Sequence, residues 1–206
     1  MSKENKPTEH YFTAAPKSEE RFGLVRSCLR HRNFEFLTSS SVFSKKKIDL
    51  GTRLLIEAMV LPPTGNVLDI GCGYGAVGIA AATFNPKLHV VMTDVNVRAV
   101  KLAKQNAERN RVLKNAEVKY GHLYEPVENL VFNCILSNPP VSAGMDTVRA
   151  IVAQAPKVMA PTATFQMVIR SKIGIKALPT LFCETFGDCT VLARESGFRV
   201  LMGKKE

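Results

Sequence analysis

The stretch Asn66-Val67-Leu68-Asp69-Ile70-Gly71-Cys72-Gly73-Tyr74-Gly75-Ala76-Val77-Gly78 decides the fold. Its short apolar run predicts a strand over Asn66–Ile70, closed by Asp69-Ile70-Gly71. The small and apolar residues after the glycines predict a helix over Ala76–Phe84. Glycines between a strand and a helix let the backbone turn sharply and approach a ligand closely. Asp94 follows nineteen residues after Gly75, at the end of a second apolar strand, Leu88–Thr93. A carboxylate there presents two acceptors to the two hydroxyls of a ribose, so loop and carboxylate together read as a nucleoside site.

Outward from this unit the pattern keeps alternating. Asn96–Asn110 has helical spacing, with Val97, Val100, Leu102, Ala103 and Ala107 in phase. Glu117–Tyr120 and Phe132–Ser137 read as strands, Met145–Met159 as a helix, and Thr164–Ile169 as a strand. Ile175–Phe186 reads as a helix carrying Pro179 in its first turns, where proline is tolerated. Two runs, Thr190–Arg194 and Phe198–Met202, are joined by Glu195-Ser196-Gly197 as a hairpin. Strands alternating with helices predict an α/β domain with a mostly parallel seven-stranded sheet and helices on both faces. The closing hairpin adds an antiparallel edge strand. Residues 1–60 break the rhythm and read as an N-terminal α/β extension: a helix over Ser18–Leu29, a hairpin around Phe34–Phe43, and a helix over Thr52–Val60 capped by Thr52. The expected division is residues 1–60 as extension and 61–206 as the main domain.

The fourth strand of the main domain runs into Ser137-Asn138-Pro139-Pro140-Val141. Prolines lack an N–H and hold φ fixed, so this loop presents carbonyls in a rigid arrangement. Asn138 adds a side-chain carbonyl. Such an acceptor pair suits an exocyclic amino group on a planar ring, whose lone pair it can steer toward an electrophile. The end of a strand beside the nucleoside crevice is where sheets of this kind do chemistry. A dinucleotide site competes, because Gly73-Tyr74-Gly75-Ala76-Val77-Gly78 matches GxGxxG. Against it, Asp69 stands where a pyrophosphate would need positive potential, and that carboxylate is better placed to receive an ammonium group.

Composition sets the outer bounds. The 206 residues are 46% apolar and 22% charged, enough to build a full core, with a net charge of +10. The longest apolar stretch, around Ala76–Ala82, is too short for a membrane span. The N-terminus lacks the apolar segment of a signal peptide. A cytoplasmic protein is expected. Cys28, Cys72, Cys134, Cys183 and Cys189 include no CxxC pair, which speaks against zinc and disulfides and for buried thiols in a reducing compartment. His10, His31, His89 and His122 have no Cys or carboxylate partners at useful spacing, so no metal is expected. Tyr74 and Tyr124 read as packing or cofactor-lining groups. Between Arg21 and Arg53 stand eight basic and two acidic residues, interleaved with Phe34, Phe36 and Phe43. That mixture suits a polyphosphate partner such as a nucleic acid, with charge for phosphates and rings for bases, or else a solvated face over core phenylalanines.

Taken together, these motifs resemble the class I S-adenosylmethionine-dependent methyltransferases, within them the small methyltransferase-domain family. That family includes small-subunit ribosomal RNA guanine-N2 methyltransferases and short archaeal homologues. The likeness covers nearly the whole chain: His10-Tyr11-Phe12, Phe36–Phe43 with Val42-Phe43-Ser44, Ile48-Asp49-Leu50-Gly51-Thr52, the glycine loop, Asp94, Asn96, Leu123-Tyr124 and Ser137-Asn138-Pro139-Pro140. The resemblance implies a Rossmann-like fold and S-adenosylmethionine as cofactor. It implies that Asp69, Gly71, Cys72, Gly73 and Gly75 wrap the methionine moiety, that Asp94 holds the ribose, and that Val95 packs on adenine beside His122 and Leu123. Asn138, which also borders the cofactor, would act in catalysis with Pro139 and Pro140, orienting the target amine. Two positions depart from the pattern. His122 stands where many relatives carry an Asp, and Val141 where many carry an aromatic that stacks on the substrate base.

The implied reaction is direct in-line methyl transfer to a base, guanosine foremost, of ribosomal or transfer RNA, by a monomer or small homo-oligomer. Three alternatives stay open: a protein glutamine-amide N-methyltransferase, a nicotinamide oxidoreductase and a non-catalytic RNA-binding module.

Overall fold

A computed structural model of the chain describes residues 22–39, 47–139, 144–172 and 177–206. The sheet that carries the glycine loop has seven strands: β3 (Gly65–Ile70), β4 (Leu88–Asp94), β5 (Ala116–Tyr120), β6 (Phe132–Ser137), β7 (Met159–Arg170), β8 (Thr190–Glu195) and β9 (Phe198–Lys204). Their order is β5-β4-β3-β6-β7-β9-β8, with β9 antiparallel to both of its neighbours and every other pairing parallel. Strand order reverses between β3 and β6. That switch point opens a crevice at the carboxyl ends of the two strands that carry the glycine loop and Asn138.

Helices cover both faces. On one lie α1 (Leu50–Ala58), α2 (Ala76–Phe84) and α3 (Val97–Arg109); on the other lie α4 (Gly144–Gln154) and α5 (Ala177–Phe186). Successive strand residues accordingly enter different cores. Val67, Val90, Met92, Cys134 and Leu136 join the first layer, while Leu68, Val91 and Ile135 join the second. Burial on both faces explains why these strands read as continuous apolar runs. Among the described residues no helix is long and apolar enough to cross a membrane.

The predicted elements of the main domain fall where expected, with shifts at their ends. The helix expected over Met145–Met159 stops at Gln154, because Pro156 turns the chain into a 3-10 segment over Ala155–Val158, and β7 then begins at Met159. Pro179 sits in the first turn of α5. The closing hairpin turns on Ser196 and Gly197, both at positive φ.

The N-terminal elements differ. Phe22–Leu29, expected as helix, is strand β1, paired antiparallel along its whole length with β2 (Arg32–Ser39). Val25 and Leu29, both buried, are four residues apart, a spacing that fits one face of a helix and alternate positions of a strand equally well. The hairpin therefore lies earlier than Phe34–Phe43, turning on Arg30 and His31 at φ 42° and 61°. Helix α1 begins at Leu50 and is capped by Asp49, whose Oδ1 accepts the Thr52 N–H at 3.0 Å. The cap is Asp49, not Thr52, which sits a turn inside with its hydroxyl available to another partner. Positions 18–21 and 40–46, including Phe43, lie outside the described residues, as do His10-Tyr11-Phe12.

Hairpin and helices share one core. Asn106 of α3, fully buried, accepts from Leu37 N at 2.7 Å and donates to Leu37 O and Tyr74 O, each at 2.9 Å. One side chain thus ties the hairpin to the glycine loop. Arg30 closes the other end, its guanidinium bonding to Glu57 O and Met59 O at the C-terminus of α1.

Candidate active site

The glycine loop is pinned from below. Gly71 and Cys72 both donate their N–H to Thr93 O at 2.9 Å, so the loop folds over the end of β4. Gly71, Gly73 and Gly75 adopt positive φ of 72°, 58° and 88°. A Cβ on Gly71 would meet nothing within 4 Å and would project into open space, whereas one on Gly78 would lie 2.4 Å from Met92 Cγ. The first glycine serves the turn, and the last lets α2 pack on β4.

Two carboxylates are buried here. Asp69 is 1% exposed, and its Oδ2 accepts from Gly78 N at 2.8 Å. Its Oδ1 has no hydrogen-bond partner among the described residues. Desolvation, opposed by the Gly78 N–H and reinforced by Asp94, raises its pKa from the usual 3.8 to about 7. Asp94 accepts from Gly73 N and Asn96 N at 2.8 Å each, and its pKa too is raised by burial, against the pull of those N–H groups. Oδ2 thus braces the glycine loop and Oδ1 the N-cap of α3, and the Val95 N–H draws on the same carboxylate. The Cys72 thiol, pushed up by desolvation and by both carboxylates, is no nucleophile.

Asp69, Gly71, Cys72, Gly73 and Thr52 line one small cleft together with Asn138. None of its lining residues is cationic. Gly75 sits behind it as the N-cap of α2. Val95, His122 and Leu123 stand next door at the ends of β4 and β5 and do not line that cleft. His122 is exposed, 3.8 Å from Glu125. Pro140 and Val141 lie outside the described residues. Tyr74 packs on Phe36 at 5.6 Å between ring centroids, and Tyr124 donates its hydroxyl to Ile151 O at 2.6 Å.

Asn138 is held from one side only. Its Nδ2 donates to Thr52 Oγ1 at 2.8 Å and to Asp49 Oδ1 at 3.4 Å. With both amide hydrogens spent on the first turn of α1, Oδ1 remains as a fixed acceptor. Sequence reasoning missed Asp49 and Thr52 as partners of this asparagine, since 86 positions separate Thr52 from it. On its far side Asn138 borders a second, larger cavity of about 290 Å³, together with Pro139.

The basic N-terminal segment is less available than its charge count suggests. Phe34 and Phe36 are buried at 2% and 0% exposure and stack on each other in the core, so neither can stack on a base. Arg30 is a structural cap, and Arg26 pairs with Glu35 at 2.7 Å. Arg32 and Arg53 are exposed with no carboxylate partner among the described residues. The cysteines also depart from expectation: Cys134 is buried, but Cys28 and Cys183 are exposed, and all five are free.

A doubly wound sheet whose switch point holds a glycine loop between buried carboxylates, with Asn138 lining the same cleft, defines a class I, Rossmann-like methyltransferase. Residues 33–202 match the methyltransferase small domain. Over 200 residues the chain is 34% identical to the uncharacterised protein YbxB of Bacillus subtilis, spanning 96% of this chain and 99% of that one. It is 31% identical over 173 residues to ribosomal RNA small subunit methyltransferase C of Photorhabdus laumondii, covering 82% of this chain but 49% of that enzyme. The Thermus thermophilus 16S rRNA N2 G1207 methyltransferase RsmC, solved with AdoMet and guanosine, superposes with a TM-score of 0.80 at 25% identity, over 93% of this chain and 52% of that one. The chain belongs to the methyltransferase small domain family and is an S-adenosylmethionine-dependent methyltransferase. It spans about half the length of the ribosomal RNA methyltransferases it matches. The cleft fits this cofactor on its own chemistry: a buried carboxylate, Asp69, with no cation among the lining suits a ligand end that carries an ammonium and a sulfonium.

Proposed function

We propose that the chain methylates the exocyclic amino group of a base in ribosomal RNA, with guanine N2 the favoured target. The carrying observation is Asn138, whose amide hydrogens are tied to α1 and which lines both the small cleft and the larger cavity. The kinship with small-subunit ribosomal RNA methyltransferases supports the same reading.

In this proposal Asp69, Gly71, Cys72, Gly73 and Gly75 enclose the methionine end of the cofactor, the Asp69 carboxylate meeting its ammonium. Asp94 fixes the loop and offers its remaining acceptor capacity to the ribose, with Val95, His122 and Leu123 near the adenine. The cofactor supplies an electrophilic sulfonium methyl. Asn138 Oδ1 and the Pro139 carbonyl accept the two hydrogens of the target amine, which aims its lone pair and stabilises the positive charge that grows on nitrogen. Pro140 keeps that loop stiff. Arg32 and Arg53, on the N-terminal extension of residues 1–60, serve the phosphates.

The test is transfer of tritiated methyl from S-adenosylmethionine to deproteinised ribosomal RNA and to small ribosomal subunits, with a protein fraction alongside. N2-methylguanosine in the nucleoside digest is the expected product. Label confined to protein would replace this reading with methylation of a glutamine amide, which also offers two hydrogens to Asn138.

A further inference from the structure

The cavity beyond Asn138 has a wall that the motifs did not reveal. It opens at the carboxyl end of β7, between α4, α5 and the start of β9. Met145, Ile169 and Leu178 give it an apolar lining, and its volume of about 290 Å³ lies near the lower end of small-ligand sites. At one side the Arg170 guanidinium lies over the ring of Phe198, 5.2 Å from the centroid, and both residues line the cavity.

The pairing is fixed by register, since Arg170 and Phe198 are direct partners across β7 and β9. Phe198 is also seated against α1: a Cβ on Gly51 would lie 3.1 Å from its Cε1 and 3.2 Å from its Cδ1. Gly51 stands between Asp49 and Thr52, the two residues that hold Asn138. One helical turn therefore positions both the asparagine and the ring that carries Arg170. Arg170 is exposed, and no carboxylate pairs with it among the described residues.

We propose that Arg170, seated over the ring of Phe198, is the platform on which the target base stacks while Asn138 holds its amino group. This rests on the base-methylating reading above and supplies the planar partner absent at Val141. Guanidinium planes stack on unpaired bases as aromatic rings do, and a ring beneath keeps the plane oriented. An unpaired cation beside an otherwise apolar pocket also suits an electron-rich purine better than an aliphatic amide. The occupant is a base taken out of its stack.

The test uses a single-stranded RNA oligomer bearing 2-aminopurine, whose fluorescence is quenched by stacking and whose 2-amino group can meet Asn138. With S-adenosylhomocysteine present, the wild-type chain should quench it, and Arg170→Ala should remove most of the quenching. In the methylation assay Arg170→Ala and Phe198→Leu should raise KM for RNA about 10–100-fold. Affinity for S-adenosylhomocysteine should stay within twofold, which also reports correct folding. Arg170→Lys should behave like the alanine variant, because an ammonium is a point charge without a plane. Full function of Arg170→Lys would overturn stacking in favour of a phosphate contact. Unchanged quenching and KM in Arg170→Ala would overturn the platform while RNA methylation stands. Quenching by a wild-type chain that labels no RNA would support the platform and sink the proposed reaction. A wild-type chain that neither quenches nor labels would overturn both.

Discussion

Thr52 Oγ1 accepts a hydrogen bond from Asn138 Nδ2 at 2.8 Å, joining the first turn of α1 to the end of β6 across 86 positions of sequence. The bond decides which end of the asparagine amide faces the cavity, because Asp49 Oδ1 takes the same nitrogen at 3.4 Å. Replacing Thr52 with Val removes the acceptor and keeps the shape. We expect kcat to fall roughly tenfold, the order of one hydrogen bond, with Thr52→Ser close to wild type. Asn138→Ala should cost about 10²–10³-fold in kcat with cofactor affinity nearly intact. Steady-state methyl transfer and calorimetric titration of S-adenosylhomocysteine separate the two quantities. Parallel loss of turnover and cofactor affinity in Asn138→Ala would remove it from the substrate side.

If Asp69 meets the cofactor ammonium as proposed, it should make cofactor binding depend on pH near neutrality. Burial raises its pKa to about 7, so in the free protein the carboxyl takes up a proton as pH falls below that value. A ligand ammonium binds the ionised form. Affinity should therefore weaken below about pH 7, by up to roughly tenfold per pH unit, and level off above pH 8. Titrations at pH 6, 7 and 8 test this, and Asp69→Asn should bind weakly and without the pH trend.

The same group sets a stability trend of opposite sense. A carboxyl whose pKa is raised by folding adds stability that is whole below its unfolded value of 3.8 and is lost as pH rises through about 7. The difference corresponds to on the order of 4 kcal/mol for this fully buried group. Ligand-free Asp69→Asn should thus melt higher than wild type at pH 8 and equal to it near pH 4. Thermal denaturation in the absence of cofactor shows which holds; a wild-type chain more stable than Asp69→Asn at pH 8 would contradict a net desolvation cost for this buried carboxylate.

The main domain was legible because its signals are local. β3, α2, β4 and β6 are apolar runs bounded by glycine, proline and acidic residues, and the glycine loop and Asn138 lie where strands end. The N-terminal part was not, because its decisive features are tertiary. Arg30 and His31 form a left-handed two-residue turn without the Gly or Asn that advertises one. Charge counting placed Arg30 in a basic stretch suited either to phosphates or to solvent, yet its guanidinium is committed to Glu57 O and Met59 O. Phe34 and Phe36 face the core because β2 lies on α3, a contact no sequence window contains. Asn106 did leave a trace: it is a polar residue in phase with Ala99, Leu102 and Ala103 on the apolar stripe of α3.

That asparagine is the seam between hairpin and loop. Asn106→Leu keeps the volume but leaves Leu37 N, Leu37 O and Tyr74 O without their partner in a buried site. The expected cost is about 2–4 kcal/mol of stability, measured by urea denaturation. Hydrogen exchange should quicken most along β2, where the Leu37 amide loses its acceptor. A change under 1 kcal/mol would mean that the hairpin is held by its buried phenylalanines and by the Arg30 and Asn110 bonds without need of Asn106.

The GxGxxG spelling of Gly73–Gly78 tests how far a motif can be trusted apart from its electrostatics. In a dinucleotide site the helix N-terminus offers its free N–H groups to a pyrophosphate. Here Gly78 N, in the first turn of α2, already donates to Asp69 at 2.8 Å, and Gly73 N to Asp94 at the same distance. Two donors that would greet an anion are occupied by anions, and a pyrophosphate would meet both buried carboxylates. NADH at about millimolar concentration should therefore give no saturable fluorescence change, while S-adenosylhomocysteine binds in the micromolar range typical of such sites. Asp69→Asn removes one negative charge and, on the proposed role of Asp69, should weaken cofactor binding, but with Asp94 still in place it should not create an NADH site. Saturable NADH binding to the wild-type chain would reverse this order of preference and return the glycine loop to the oxidoreductase reading.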